Sequence, residues 1–319
     1  MNEYKQFKFF LLIVFLFAFC LLVFIGVVFS IGKLIDKKDP NAYMLALQDK
    51  KHLLEEKTPG GRIIFIGGSN VAFGVDSAEV QKAFNRKVIN MGLNADLGLK
   101  FMINDARDKF YPGDVVVIIP EYENFFGVFQ GNQTLVDTIL YIYPENISKL
   151  DFMQMIYLSK YIPMVAMQKI INEVFYSKSK LAWSELYKRD NFNAFGDMVG
   201  HLELDGSNDI KASSFATESI DKNVSNFLNK FYREMKEKNV QVVFAYPDYM
   251  DKYFSESKKE IFTLEDILKR SLEIPVLSSA ERYSFPESYF FDTVYHLNKE
   301  GRKLRTNMLI EDLKNVVVK

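Results

Sequence analysis

"RIIFIGGSNVAFG" occupies residues 62–74. Four large β-branched or aromatic residues run without interruption into two glycines and a serine, Ser69. A short, wholly apolar run that stops at glycine suits a strand buried on both faces of a parallel sheet. Runs of the same kind recur as "KVINMG" (87–92), "VVVIIP" (115–120), "VQVVFAYP" (240–247) and "IPVLSS" (274–279). Helical spacing separates them, first in "DSAEVQKAF" (76–84), where Asp76 is an N-cap candidate, and then in "DLGLKFMINDARDKF" (96–110). Further helices are expected at 217–238, 256–271 and 298–313. This alternation predicts a doubly wound α/β domain of five parallel strands.

The rhythm breaks at about 128–215. That stretch is rich in Tyr, Phe and Met, with helical spacing at 151–176, and reads as a helical insertion over the sheet. Ahead of the domain, Phe9 to Phe29 contains only apolar residues and glycine. As a helix such a run covers roughly 30 Å, the thickness of a bilayer core, and it exceeds a signal-peptide core. The expected organisation is a membrane anchor at 1–32, a charged juxtamembrane linker at 33–61 containing a helix at about 41–56, and a body at 62–319. Lys5 and Lys8 precede the run and Lys33, Lys37 and Lys38 follow it, so flanking charge assigns no orientation. The single cysteine, Cys20, lies within the run, and the cysteine-free remainder suits an oxidising compartment.

Lys plus Arg number 40 against 41 Asp plus Glu, for a formal net charge of -1. No basic cluster interleaves with aromatics, which argues against a nucleic-acid partner. There is no phosphate-binding loop, no dinucleotide fingerprint and no clustered Cys/His spacing for a metal. No cofactor is expected. A Gly-x-Ser-x-Gly elbow is excluded because Val71 stands where its second glycine would be.

In open parallel sheets, sites form beyond the carboxyl ends of the strands. The first strand delivers Ser69 and Asn70 there, and the second delivers Gly92 and Asn94. The third delivers Glu121, Tyr122, Glu123 and Asn124, and the fourth ends at Asp248. Late in the chain "FFDTVYHLN" carries Asp292 and His296. A serine hydroxyl becomes a nucleophile when a base removes its proton. His296 is a candidate base, and Asp292, four residues earlier, is a candidate for orienting it. The N–H groups of Ser69 and Gly92 are candidate oxyanion donors. His201, one of three histidines, reads either as a pocket residue from the insertion or as a structural one.

The ordered set of Gly-x-Ser, a glycine after the second strand, a polar end to the third and a late Asp/His resembles the SGNH (GDSL-like) hydrolase superfamily. The resemblance covers about 61–127 and 240–313. "FFDTVYHLNKEGRKLRT" and "RDNFNAFGDMVGH" (189–201) are similar to its membrane-anchored branch, whose members act in alginate acetylation and teichoic-acid D-alanylation. The resemblance implies a three-layer α/β/α fold, Ser69 as nucleophile, His296 as base, Asp292 as its acid and Gly92 in the oxyanion hole. It departs from the family twice. The usual Asp-x-x-His is one residue longer here, and "PEYENF" (120–125) replaces the usual Gly-x-Asn-Asp. Asn124 is then the candidate for the third oxyanion donor, with Asn94 and Asn70 behind it. Glu121, Tyr122, Glu123 and His201 are candidate substrate contacts.

The implied function is extracytoplasmic acyl transfer to a cell-surface polysaccharide, alone or beside an integral membrane O-acyltransferase. A carbohydrate esterase using the same residues and a non-catalytic envelope binding protein are the alternatives.

Overall fold

The computed structural model describes residues 3–35, 39–175, 183–207, 209–221 and 223–317. In chain order the helices and strands begin with α1 (Glu3–Ile35), α2 (Ala46–Glu55), β1 (Arg62–Gly67), α3 (Ser69–Gly74), α4 (Ser77–Phe84), β2 (Lys87–Asn90), α5 (Leu99–Ala106) and β3 (Val115–Ile119). The insertion follows with α6 (Gln133–Asp137), α7 (Phe152–Ser159), α8 (Ile162–Phe175) and α9 (Trp183–Leu186). The chain then returns through α10 (Asn223–Glu237), β4 (Gln241–Phe244), β5 (Tyr249–Met250), α11 (Asp251–Glu256), α12 (Lys258–Ser271), β6 (Ser284–Phe285) and α13 (Lys299–Leu313).

The main sheet has four parallel strands in the order β2-β1-β3-β4. Every residue of β1 and β3 is buried, as expected for strands covered on both faces by helices. The chain leaves β1 toward β2 on one side and returns to β3 on the other. The β1/β3 boundary is therefore the switch point where α/β sheets place their ligand sites. The two strands end in register, with Gly67 opposite Ile119.

The expected fifth strand at 274–279 is reduced to an isolated parallel bridge between Val276 and Phe244. The Phe244 N–H donates to the Pro275 carbonyl at 2.9 Å and the Leu277 N–H to the Phe244 carbonyl at 2.9 Å. Pro275 has no N–H with which to carry the ladder further. β5 and β6 form a separate two-stranded parallel sheet.

Local signals account for the helix limits. Asp76 accepts from the Glu79 N–H at 3.3 Å to begin α4, and Asn85 ends it in the left-handed conformation at φ 52°. Asn298 caps α13 through the Gly301 N–H at 3.0 Å. The helical spacing at 151–176 resolves into α7 and α8. Pro163 falls in the first turn of α8, where a missing N–H costs nothing.

The stretch expected to act as a linker is partly built into the body. Ala46, Leu47, Lys50 and Leu54 of α2 are buried. Lys50 Nζ donates to the carbonyls of Asn90 (2.9 Å) and Gly196. The helix α1 contains the apolar run Phe9–Phe29 and lies against α8. Many side chains of α1 fall outside the described set, and among the described residues no helix is long and apolar enough to cross a membrane. The anchor expected from sequence thus gains no support from the described residues.

A buried ion pair ties the opposite end of the sheet. Arg62, at the start of β1, donates from Nε (3.1 Å) and Nη2 (2.6 Å) to Asp114, just before β3. The remaining guanidinium donors reach the Leu54 carbonyl at 2.8 Å and the Lys109 carbonyl at 2.8 Å. Removing one partner of such a pair strands a buried charge, which costs about 3–5 kcal/mol. Asp114→Ala is expected to lower the urea unfolding free energy by about that amount. Glu79→Ala, which breaks an exposed 3.7 Å pair with Lys82, should change it by less than about 1 kcal/mol.

Candidate active site

The turn after β1 is shaped by crowding. A Cβ on Gly67 would stand 2.2 Å from the Ile119 carbonyl oxygen. One on Gly68 would stand 2.5 Å from Glu121 Oε1 and 2.9 Å from the Ala95 Cβ. Gly68 has an ordinary φ of -82°, so its glycine is required by close approach rather than by a left-handed turn. Because β1 and β3 end in register, the residues two places beyond Gly67 and Ile119 meet. Ser69 Oγ donates to Glu121 Oε1 at 2.9 Å, and the Asn70 N–H donates to the same oxygen at 2.9 Å.

Ser69 and Phe73 lie one helical turn apart on α3, and Phe73 forms the platform for His296. The Phe73 and His296 rings stack with centroids 3.8 Å apart and planes 6° apart. His296 lies in a loop. An antiparallel bridge between Phe290 and Leu297 closes this loop. Thr293 Oγ1 tightens it by accepting the Tyr295 N–H (3.2 Å) and the His296 N–H (3.1 Å).

The loop brings His296 Nδ1 to 2.7 Å from Asp292 Oδ1. Tyr187 Oη donates to Asp292 Oδ2 at 2.6 Å and lies 3.2 Å from His296 Nδ1. Burial pushes the Asp292 carboxyl upward, but the bonds from His296 and Tyr187 outweigh it and hold the group below the ordinary carboxylate range. Asp292 is therefore a carboxylate that can orient the imidazole and stabilise its charged form. His296 Nε2 has no protein partner among the described residues.

Ser69, Asn94, Glu121, Glu123 and His296 line one cleft of about 300 Å³. The segment Lys211–Ser213, from the insertion, forms part of its wall. Among the described residues Ser69 is bonded to Glu121 and not to His296. The acid on the other side of the serine behaves differently from Asp292. Burial, then the neighbouring Glu123 charge, pushes Glu121 up to about 8 against the lowering effect of its bonds from Asn70 and Ser69. Glu123 is also raised by burial, although it accepts from Tyr295 Oη at 2.6 Å. Among the described residues no group of three or more His, Cys, Asp or Glu could hold a metal ion.

Several residues expected at the site do other work. The Gly92 N–H donates to Asn90 Oδ1 at 2.9 Å and is thus already engaged. A Cβ at Gly92 would meet the Ala72 nitrogen at 2.5 Å, so this glycine lets the end of β2 pack on α3. Asn124 is fully buried, and its Nδ2 donates to the Ala95 carbonyl at 2.9 Å. It supports the 94–97 turn and does not face the cleft. Asn70 is likewise buried, its Nδ2 on the Ile119 carbonyl at 3.1 Å. Tyr122 packs in the core against Tyr249, with ring centroids 5.2 Å apart. Of the three asparagines considered as donors, Asn94 is the one at the cleft wall. Its Oδ1 accepts the Asp96 N–H at 2.8 Å, which leaves its amide nitrogen free of protein partners among the described residues.

The segment "RDNFNAFGDMVGH" is scaffold. Asp197, fully buried, accepts from Ser77 Oγ (2.5 Å), Asn90 Nδ2 (2.8 Å) and Arg302 Nη2 (2.8 Å). It joins the insertion to α4, β2 and α13. His201 lies behind the cleft, with Nε2 2.9 Å from the Leu297 carbonyl oxygen and its ring 4.6 Å from that of Phe73. Tyr187 was not among the candidates from sequence. It precedes the scaffold segment with no local pattern, and only folding places it on Asp292.

No family model matches the chain. No curated protein matches it either.

Burial lowers His201 to about 4, so it is neutral in the fold at neutral pH. Below its ordinary value of about 6.5 the unfolded chain binds the extra proton and the folded chain does not. Stability contributed by neutral His201 is therefore present above about 6.5 and lost as pH falls toward about 4. Replacing His201 by Gln should flatten this part of the curve. Unfolding free energies from urea titrations at pH 7.5 and 4.5 are expected to differ by less in the variant than in the parent, by on the order of 2–3 kcal/mol. Equal slopes would show that His201 does not titrate as placed.

Proposed function

We propose that this chain is an SGNH-type serine acyltransferase, held at a membrane by the Phe9–Phe29 run and acting outside the cytoplasm on a cell-surface polysaccharide. The observation that carries the reading is the 2.7 Å Asp292–His296 contact, with the histidine sharing one cleft with a serine at the sheet's switch point. The family resemblance supplies the substrate class, and the apolar run supplies the membrane location.

In this reading Ser69 Oγ turns from Glu121 toward His296 Nε2 by rotation about its Cα–Cβ bond. His296 takes the hydroxyl proton as Oγ attacks the acyl carbonyl. The proton then passes to the departing group, leaving an acyl-serine. A sugar hydroxyl attacks this ester and gives its proton to His296, which passes it to Ser69 Oγ as the serine is expelled. Water in place of the sugar gives the esterase reaction at the same residues. With the Gly92 N–H and Asn124 Nδ2 engaged elsewhere, the Ser69 N–H and the Asn94 amide take the role of oxyanion donors in this reading.

A fluorophosphonate should label Ser69 in the parent and leave Ser69→Ala unlabelled. His296→Ala should lower p-nitrophenyl acetate turnover by about 10²–10⁴-fold, the scale of a general base. Adding a polysaccharide acceptor to the acylated protein should move the acyl group to sugar. Release only to water would identify an esterase, and absence of any label would favour a binding protein.

A further inference from the structure

The cleft contains a carboxyl group that a serine–histidine mechanism does not use. Glu121 stands where the resembled family carries its Gly-x-Asn-Asp sequence, and the nearby asparagine, Asn124, is committed to the Ala95 carbonyl. The turn has been cleared for Glu121, since any side chain on Gly68 would collide with it. Its Oε1 accepts both the Ser69 hydroxyl and the Asn70 N–H. Its Oε2 has no hydrogen-bond partner among the described residues, and Glu121 lines the cleft.

We propose that Glu121 is a catalytic acid in the neutral form, with Oε2–H donating a hydrogen bond to the oxyanion that develops beside Ser69. This role rests on the acyl-serine reading above. The Asn70 N–H keeps Oε1 as the acceptor, so the proton belongs on Oε2. When Ser69 Oγ leaves Oε1 and bonds to the acyl carbon, the carbonyl π pair moves to oxygen and the serine proton goes to His296. Glu121 keeps its proton and shares it with the oxyanion. Collapse restores the carbonyl and expels the leaving group, which takes the proton from His296. An ionised Glu121 would repel the same oxygen.

The surroundings favour the neutral acid. The titratable groups around it are Glu123 two residues on, Asp248 beyond the end of β4, and Asp96 and His296, which line the same cleft. Tyr43 and Tyr295 approach from other elements and carry no positive charge. Lys211, the basic side chain on the cleft wall, is exposed and pairs with Asp209 at 3.3 Å. Burial holds the acid protonated up to about pH 8.

The test uses the full chain in detergent, with p-nitrophenyl acetate acylation and fluorophosphonate labelling followed from about pH 6 to 10. Glu121→Gln mimics the neutral acid, with one acceptor and one donor. It should keep acylation within about tenfold of the parent and remain active above the pH where the parent declines, near 8. Glu121→Ala should lose about 10²–10³-fold, the scale of one oxyanion donor. A Glu121→Gln protein as slow as Glu121→Ala, with Ser69 still labelled in the parent, would overturn the role of Glu121 and leave the serine reading standing. A parent profile flat through pH 8–9.5 would also overturn it, without recourse to any variant. Absence of Ser69-dependent label in the parent would overturn both.

Discussion

The site depends on a steric constraint at the carboxyl end of the sheet. β1 and β3 stop in register, and two residues without side chains, Gly67 and Gly68, let the following backbone lie against Ile119 and Glu121. Any Cβ at either position would enter the space of a neighbouring backbone or carboxyl oxygen. The meeting of Ser69 with Glu121 is a consequence of that fit. So is the direction of α3, which carries Phe73 to the face on which His296 stacks. The candidate nucleophile and the platform for the candidate base thus come from one short helix.

Two carboxyl groups of similar intrinsic acidity are pushed in opposite directions because their partners differ. Asp292 accepts from His296 and Tyr187, and these bonds outweigh the cost of burying its charge. Glu121 accepts only neutral donors and has Glu123 as its neighbour, so burial prevails. Separation of two acids by environment is the pattern through which a fold assigns distinct proton roles at one pH.

The insertion contributes on two levels. Its "RDNFNAFGDMVGH" segment buries Asp197 among donors from α4, β2 and α13, which fixes the second strand and the start of the last helix. His201 from the same segment holds the Leu297 carbonyl, next to the catalytic histidine candidate. Further along, 211–213 closes one wall of the cleft. A segment that interrupts the α/β alternation thereby becomes part of the support for the site.

Sequence alone determined the parts governed by local chemistry. Continuous apolar runs marked four strands, and Asp76 marked a helix start, because burial on both faces and capping leave signatures within a few residues. It also nominated Ser69, Asp292 and His296 together, since strands of one direction deliver their ends to one rim. It overstated the fifth strand, where Pro275 interrupts the ladder. Only tertiary structure decided which polar groups are free. Gly92 and Asn124 have the right residue types, yet Asn90 and Ala95 already occupy their hydrogen bonds. Tyr187 and Asp292 are 105 residues apart, and Ser69 and Glu121 are 52 apart. No local pattern encodes such contacts, because a hydrogen-bond partner is set by the register of strands and the closure of loops.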